Sequence, residues 1–355
     1  MSRPITASID LSALHHNLQV ARRATPARIM AVIKADAYGH GLLRCAEALA
    51  SADGFALLDL RDAIRLREAG YRQSILLLEG AFSPDELPRI AGHSLACVIH
   101  SPEQLAMLDA AARLGNKLSV WIKVNTGMNR LGFTAQDVPA VMEKLRAHPA
   151  VRELTLMSHF SHADEAAGVE SQLQLFNQMA APHRVARSLA NSAALLRYPH
   201  AHGDWVRPGI MLYGASPFED VSADQFGLKP VMTLRTQLIA VRELRAGECI
   251  GYGGTFCADR TMRMGVAACG YADGYPRHAS TGTPVLVDGR RTRTLGRVSM
   301  DMLCVDLSAL PDARVGSSVT LWGAGLPVEE VARAAGTISY ELLCAVTARV
   351  TFITA

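Results

Sequence analysis

No run of apolar residues in this 355-residue sequence is long enough to cross a membrane, and no region carries an excess of one charge. A spanning helix needs roughly 20 apolar residues, and the N-terminal stretch MSRPITASID also lacks the apolar core of a signal peptide. The net charge of +3 comes from scattered lysines and arginines. We therefore expect a cytoplasmic protein that binds neither nucleic acid nor membrane.

Cysteine pairs with the spacing of a redox motif are missing as well. The seven cysteines are odd in number and form no C-x-x-C pair. Reduced and mostly buried thiols explain this pattern better than a disulfide framework. We also expect no bound metal ion.

Strand-like and helix-like stretches alternate through about residue 210. The predicted strands are 29–33, 55–58, 75–79, 95–99, 118–124, 154–159, 187–191 and 204–207. The predicted helices between them are 45–50, 60–69, 84–90, 102–114, 135–147, 170–186 and 192–197. Asp59, Ser83 and Ser101 are the predicted N-caps of three of these helices. Eight strands in βα order fit an α/β fold with a closed (β/α)8 TIM-like barrel better than an open sheet, because that count closes the barrel.

The pattern changes after residue 227. Short β-branched runs follow, such as 231–241, 285–287 and 318–321, and turn signals separate them. This pattern predicts a C-terminal all-β domain. We assign residues 10–225 to the barrel and 226–355 to the β domain, since the length suits two domains.

Lys34 directly follows the apolar strand 29–33, within the segment 31–41, AVIKADAYGHG. A lysine at the C-terminal end of a parallel strand points into the mouth of the barrel, where partial desolvation favours the neutral form of an amine and frees its lone pair to attack an aldehyde. An ordinary surface lysine is the alternative for a bare strand-lysine pattern. The whole segment closely resembles the pyridoxal-phosphate lysine motif of alanine racemases. The resemblance implies that Lys34 forms a Schiff base with pyridoxal 5′-phosphate and that Tyr38 binds the cofactor phosphate.

The phosphate site of such barrels is usually built by the loops after strands seven and eight. Segment 191–194, NSAA, follows the seventh strand, so backbone N–H groups and the Ser192 hydroxyl can face an anion. An ordinary helix cap would explain this segment alone. Its position, together with 206–214 (VRPGIMLYG), matches the racemase pattern, which places Gly209 and Ile210 at the phosphate.

Arg207 follows the eighth strand, and its guanidinium stays protonated, so a partner nitrogen must act as an acceptor. In alanine racemases the matching arginine donates to the pyridine nitrogen and weakens the ring as an electron sink. An arginine that pairs with a helix terminus is the alternative. His159, at the end of the sixth strand, is expected to pack near the ring or to orient Arg207, and a core histidine is the alternative.

Racemisation needs a base on each face of the α-carbon. Tyr252, in 249–256 (CIGYGGTF), matches the catalytic tyrosine segment of the family, where this residue enters the site of the opposite subunit. The resemblance therefore implies a homodimer with shared active sites. A tyrosine in a glycine-rich turn is otherwise an ordinary turn aromatic.

Segment 121–132, WIKVNTGMNRLG, carries two further matches. Arg130 resembles the family arginine that meets the substrate carboxylate. Lys123 matches a lysine that is carbamylated in many members, where the resulting anion holds that arginine. A strand lysine that reaches solvent is the alternative.

The remaining matches lie in the second domain. The resemblance implies that the Met300 backbone and Asp301 lie at the substrate, that Tyr271 lines the entry corridor, and that Tyr340 adds a second phosphate-side tyrosine. It covers essentially the whole chain, and the N-terminal strand, residues 1–9, joins the C-terminal domain in this family.

The function that the resemblance implies is two-base racemisation of L- and D-alanine on a pyridoxal-phosphate aldimine, for peptidoglycan or for alanine catabolism. A broad-specificity amino-acid racemase is the nearest alternative. A decarboxylase on the same plan needs a carboxylate at the ring nitrogen, whereas Arg207 occupies that position. A non-catalytic carrier would not need the domain that bears Tyr252.

Overall fold

The computed structural model describes residues 3–110 and 116–355. The chain begins with strand β1 (Thr6–Ile9) and helix α1 (Leu11–Ala24), and eight parallel strands then close into a barrel in chain order. These are β2 (Arg28–Val32), β3 (Gly54–Leu57), β4 (Ser74–Leu77), β5 (Ala96–Ile99), β6 (Leu118–Lys123), β7 (Val151–Met157), β8 (Ala186–Ser188) and β9 (Trp205–Val206). Pairing of β9 with β2 completes the ring, so the predicted (β/α)8 barrel is confirmed.

Helical segments connect the barrel strands. They are α2 (Lys34–Gly39), α3 (Leu42–Ala48), α4 (Leu60–Glu68), α5 (Glu86–Gly92), α6 (Pro102–Ala110), α7 (Val138–Ala147), α8 (Glu170–Ala180) and α9 (Ser192–Arg197). The predicted N-cap at Asp59 is confirmed, because its carboxylate accepts a hydrogen bond from the Arg61 amide. Ser101 Oγ likewise accepts from the Gln104 amide at 3.4 Å.

Two helix predictions were wrong in detail. Ser83 does not cap α5; its carbonyl accepts from the Glu86 amide in a turn that precedes the helix. The prediction of a helix over 170–186 was too long, because α8 ends at Ala180 and Pro182 follows at once. The last part of the predicted helix 102–114 lies outside the described residues.

The second part of the chain is built on an antiparallel sheet, as predicted. Its strands are β10 (Met232–Leu244), β13 (Met262–Ala267), β14 (Pro284–Val287), β15 (Arg290–Leu295), β16 (Leu303–Asp306), β17 (Ser318–Trp322) and β18 (Thr351–Thr354). A separate two-stranded ribbon consists of β11 (Cys249–Ile250) and β12 (Phe256–Cys257). Two short helices, α10 (Val328–Ala334) and α11 (Ser339–Ala345), accompany the sheet.

The first strand belongs to this second sheet. β1 pairs antiparallel with β10 and parallel with β18, and the chain then enters the barrel through α1. One apolar core runs through both domains, and a small second cluster packs beneath the ribbon. Within the described residues, no helix combines the length and the apolar character that crossing a membrane requires.

One cysteine prediction was wrong. Cys249 and Cys257 are joined by a disulfide, because they lie directly opposite each other in the ribbon. Their separation of eight residues matches no short motif, so it was not recognised in the sequence. The other five cysteines are free, and Cys45, Cys97 and Cys269 are buried as expected.

Candidate active site

A cavity of about 450 Å³ lies at the C-terminal ends of the barrel strands. Ten of the residues predicted from the sequence line it: Lys34, Tyr38, Lys123, Arg130, His159, Ser192, Arg207, Gly209, Ile210 and Tyr340. A larger groove of about 890 Å³ lies at the opposite ends of the strands and contains none of them. Because barrel enzymes carry their chemistry at the C-terminal ends, we identify the smaller cavity as the candidate site.

An unusual left-handed turn places Lys34 and Tyr38. Residues 35–38 all have φ between +50° and +55°, a conformation that residues other than glycine rarely adopt. The turn is fixed from outside: the Asp36 carboxylate accepts from the Leu42 amide at 2.7 Å, and a His40 ring nitrogen lies 2.8 Å from the Tyr38 carbonyl oxygen. The Tyr38 ring stacks on the buried Tyr213 with centroids 4.6 Å apart. Tertiary contacts thus hold both side chains at the end of β2.

The loops after β8 and β9 bring together groups in the cavity that can donate hydrogen bonds. A Cβ atom on Gly209 would lie 2.4 Å from the Tyr38 hydroxyl, so only glycine leaves room for that hydroxyl. Ser192 Oγ accepts from the Gly209 amide at 2.9 Å, which joins the loop after β8 to the loop after β9. Ile210 opens a short 3-10 helix, where the first N–H groups have no partner within the helix.

Three acceptors hold Arg207 in one orientation. Its Nη atoms donate to Ser188 Oγ at 2.5 Å, to the Ser158 carbonyl at 2.6 Å and to the Leu189 carbonyl at 3.2 Å. Burial lowers the pKa of Arg207 to about 10, so the side chain remains a cation near neutral pH. These bonds use the Nη groups and leave the Nε–H for a ligand in the cavity. His159 is not among these three hydrogen-bond partners, although it lines the same cavity.

Positive charge dominates the cavity. Its lining has the cations Lys34, Lys123, Arg130 and Arg207 and one carboxylate, Glu79. Burial, then Arg207 and Arg130, lowers the pKa of Lys123 to about 8. Burial and the same cations lower the pKa of His159 to about 3, so its imidazole is neutral. Such a site suits a ligand with more than one negative charge.

Four predicted residues do not reach this cavity within one chain. The side chains of Tyr252, Met300 and Tyr271 are 70%, 52% and 38% exposed on the second domain. Tyr271 and Met300 belong to adjoining segments, since the Ala272 amide donates to the Met300 carbonyl at 3.0 Å. Asp301 is paired with Arg349 at 2.5 Å and with Arg3 at 3.2 Å.

Two polar residues of the cavity were missed in the sequence. Glu79 follows β4, so the rule that barrel sites gather at strand ends could have found it. Cys344 lies four residues after Tyr340 on α11 and therefore shares its helix face. Its position depends on the packing of α11 against the left-handed turn, which the sequence does not reveal.

Comparison with known proteins agrees with this arrangement. Residues 9–217 match the family model of the alanine racemase N-terminal domain, and residues 231–354 match that of the C-terminal domain. The alanine racemase of Nitrosospira multiformis is 61% identical over the whole of both chains, and the catabolic alanine racemase of Klebsiella aerogenes is 52% identical, also over both. The crystal structure of the biosynthetic alanine racemase from Pseudomonas aeruginosa superposes with a TM-score of 0.97 at 52% identity, covering 99% of each chain. This chain belongs to the alanine racemase family.

Proposed function

We propose that this chain is an alanine racemase that interconverts L-alanine and D-alanine by a two-base mechanism with pyridoxal 5′-phosphate as its cofactor. The observation that carries the proposal is the cavity itself: three cations (Lys123, Arg130 and Arg207) and one carboxylate surround the amine of Lys34 at the end of a barrel strand. The phosphate of the cofactor and the carboxylate of the amino acid supply the negative charge that such a lining requires.

The residues present fit the cofactor. Tyr38, Ser192, Tyr340, Gly209 and the amide of Ile210 would hold the phosphate, since all five line one cavity and Gly209 lacks the Cβ atom that would crowd the Tyr38 hydroxyl. The Nε–H of Arg207 would meet the ring nitrogen, and Lys34 would form the covalent link. His159 would pack as a neutral ring near the cofactor. The bound cofactor supplies an electron sink for the electron pair left at the α-carbon.

The protein's own groups then move the proton. Arg130 binds the substrate carboxylate, which fixes the α-carbon between two bases. Lys34 Nζ takes the proton from D-alanine on one face, and the Tyr252 hydroxyl takes it from L-alanine on the other, as the family resemblance implies. A phenol has an ordinary pKa near 10, so Tyr252 needs positive neighbours in its working position. Arg207 stays protonated because its pKa of about 10 lies above neutral pH.

We further propose a homodimer in which Tyr252 enters the partner's cavity. Within one chain this tyrosine is 70% exposed and does not line the cavity that contains Lys34. Tyr271, Met300 and Asp301 lie on the same domain and would form the substrate entrance of the partner. A carbamate on Lys123 is an anion, and its charge would hold the Arg130 side chain in place.

Alanine is the proposed substrate. Once the proposed dimer brings Tyr252, Tyr271 and Met300 to the cavity that Tyr340 lines, they would leave space for little beyond a methyl group. Enantiomers have equal free energies, so the metabolite supply, not the site, sets the direction of flux. The relatives include one named biosynthetic and one named catabolic, and either role suits this site.

We also propose a cytoplasmic location and a boundary between domains 10–225 and 226–355.

A racemisation assay of purified holoenzyme against a panel of L-amino acids tests this proposal. We expect D-alanine from L-alanine, with other amino acids turned over much more slowly, and no activity after the cofactor is removed. Equal rates across the panel would support the broad-specificity alternative. Release of carbon dioxide, or cofactor binding without turnover, would overturn the assignment.

A further inference from the structure

We propose that Cys249 and Cys257 are positioning residues, whose disulfide holds residues 251–255 (the Tyr252 loop) in their working shape, so that thiol–disulfide exchange with small cellular thiols adjusts racemase activity. The inference rests on the proposed role of Tyr252 as the second base. It concerns two cysteines that touch neither the cofactor site nor the substrate residues named above.

The disulfide lies where it controls the loop most directly. Cys249 and Cys257 form one residue pair of the ribbon, and Ile250 with Phe256 forms the other. A two-stranded ribbon of this length is not stable by itself. The disulfide therefore fixes the base of a loop whose tip is Tyr252.

Backbone hydrogen bonds of Ala258 with Gly247 and Glu248 continue the ribbon below the disulfide, whereas residues 251–255 above it have little to hold their shape. Gly251, Gly253 and Gly254 have φ of +70°, +75° and +53°, which glycine adopts without strain but does not enforce. Within the loop one backbone hydrogen bond joins the Gly254 amide to the Gly251 carbonyl at 3.3 Å. At its base, Ile250 packs into the small apolar cluster beneath the ribbon. A base must lie close to the α-carbon to move its proton, so freedom at the tip costs catalysis.

Within one chain, small thiols can reach the Cys249–Cys257 disulfide. Cys249 and Cys257 are both exposed, whereas burial raises the pKa of Cys45 and of Cys97 to about 12 and keeps those thiols unreactive. The thiolate of a small thiol such as glutathione attacks one sulfur and displaces the other as a thiolate. A second small thiol then attacks the mixed disulfide and releases the second cysteine. Two electrons and two protons reach the protein, and the small thiols leave as their disulfide.

The test compares oxidised and reduced holoenzyme after excess reagent is removed. We expect reduction to lower kcat several-fold with little change in KM. Loss of α-deuterium from labelled L-alanine should slow more than loss from labelled D-alanine, because Lys34 serves the D-enantiomer in the proposed mechanism. Oxidised glutathione should restore both.

Three variants separate the possible outcomes. The double variant Cys249→Ser/Cys257→Ser should have the kcat of the reduced enzyme, and neither the reductant nor oxidised glutathione should change it. Cys304→Ser, which removes a free cysteine of the β domain, should still lose activity on reduction and regain it on oxidation. Equal kcat in both states, an equal slowing of both exchange reactions, or failure of the pair to oxidise would overturn the inference. Tyr252→Phe tests the underlying function, because it should lose α-deuterium from L-alanine more slowly than from D-alanine. If it loses both at the same rate, the assignment of Tyr252 as the second base is wrong. If it shows the asymmetry and reduction does not, the cysteine inference alone fails.

Discussion

Four cationic side chains share one cavity, and their surroundings decide which of them keeps its charge. Arg207 is only 4% exposed, yet its pKa falls no further than about 10 and it stays protonated. Burial, followed by the two arginines, lowers the pKa of Lys123 to about 8. Lys123 therefore loses its charge more readily than Arg207, and an anion formed from it would face Arg130 and Arg207.

We expect Lys123 to react with CO2 and release a proton, which leaves a carbamate. Removal of CO2 from the buffers should lower activity several-fold, because Arg130 loses its anionic partner, and bicarbonate should restore it. NMR with isotope-labelled bicarbonate detects the carbamate directly. Lys123→Ala should lose both signal and response, while Lys117→Ala, at an exposed lysine, should keep them. A wild-type enzyme without the signal would contradict the expectation.

Lys34 is expected to be the lysine that carries the cofactor. It is half-buried at the end of β2 and lines the cavity with Tyr38. Reduction of the holoenzyme with borohydride should fix the cofactor to this residue, and peptide mass mapping identifies the labelled site. Lys34→Ala should lose racemisation altogether and yield no labelled peptide. Label on Lys123, the other lysine of the cavity, would show that the roles are exchanged.

Most of the cavity could be predicted residue by residue, because most of its polar residues lie at or just after the end of a barrel strand. Lys34, His159 and Arg207 all occupy such positions. The disulfide could not, since it depends on which residues the ribbon places opposite each other. The separation of Tyr252 from the cavity within one chain was implied by the family resemblance, whereas composition and spacing gave no sign of it.

At the level of secondary structure, the left-handed turn is the feature that runs against local preference. Each non-glycine residue in this conformation costs about 1–2 kcal/mol, and four occur in succession. The cost is offset by contacts from other elements, such as the Tyr38–Tyr213 stack and the bond of the Tyr213 hydroxyl to the Val32 carbonyl at 3.0 Å. Strain of this kind is found where a site needs side chains in fixed positions.

His40 links the turn to the pH dependence of stability. Its ring is fully buried, and burial lowers its pKa to about 4, against an ordinary 6.5. Between pH 4 and pH 6.5 the unfolded chain binds a proton at His40 that the folded chain excludes. The contribution of neutral His40 to the free energy of unfolding is therefore complete above pH 6.5 and is lost as the pH falls toward 4. Each pKa unit of this difference is worth about 1.4 kcal/mol.

We therefore expect His40→Asn to flatten the fall in Tm between pH 6.5 and pH 4. Its amide can still donate to the Tyr38 carbonyl but does not titrate, so the variant should be less stable at pH 7 and lose less on acidification. Thermal unfolding of the cofactor-free protein at several pH values measures this. His278→Asn, at an exposed histidine, should keep the wild-type slope. An unchanged slope in His40→Asn would assign the acid effect to other groups.

The barrel was predictable at this scale and the turn was not, for a physical reason. Buried parallel strands are often short apolar runs, so strands such as β3, β4 and β5 could be recognised from composition. β8 (Ala186–Ser188) is not such a run, and the strand predicted at 187–191 was displaced toward the C-terminus. The turn owes its shape to tertiary contacts of Tyr38 and His40. The end of α8 depended on Pro182, and the prediction failed because it followed helical periodicity past that residue.

At the scale of the whole molecule, the chain ends tie the two domains together. β1 lies between β10 and β18, and α1 then starts the barrel. The Asn17 side chain of α1 donates to the Lys229 carbonyl at 2.8 Å, and the Glu329 carboxylate of α10 accepts from the Ser216 amide at 2.7 Å. The second domain is therefore fixed to the barrel of its own chain, and its exposed Tyr252 is available to a partner.

The shared site of the proposed dimer can be tested with two inactive proteins. Tyr252→Phe keeps the ring and removes the hydroxyl, so kcat should fall about 10²–10⁴-fold, the range for loss of a general acid or base. Lys34→Ala removes the other base. If each cavity takes its lysine from one chain and its tyrosine from the other, a mixed dimer has one intact site. With random exchange half of the dimers are mixed and half of their sites intact, so about one quarter of wild-type activity should return. Were both bases supplied by one chain, no activity would return, even after mass spectrometry had shown that subunits exchange.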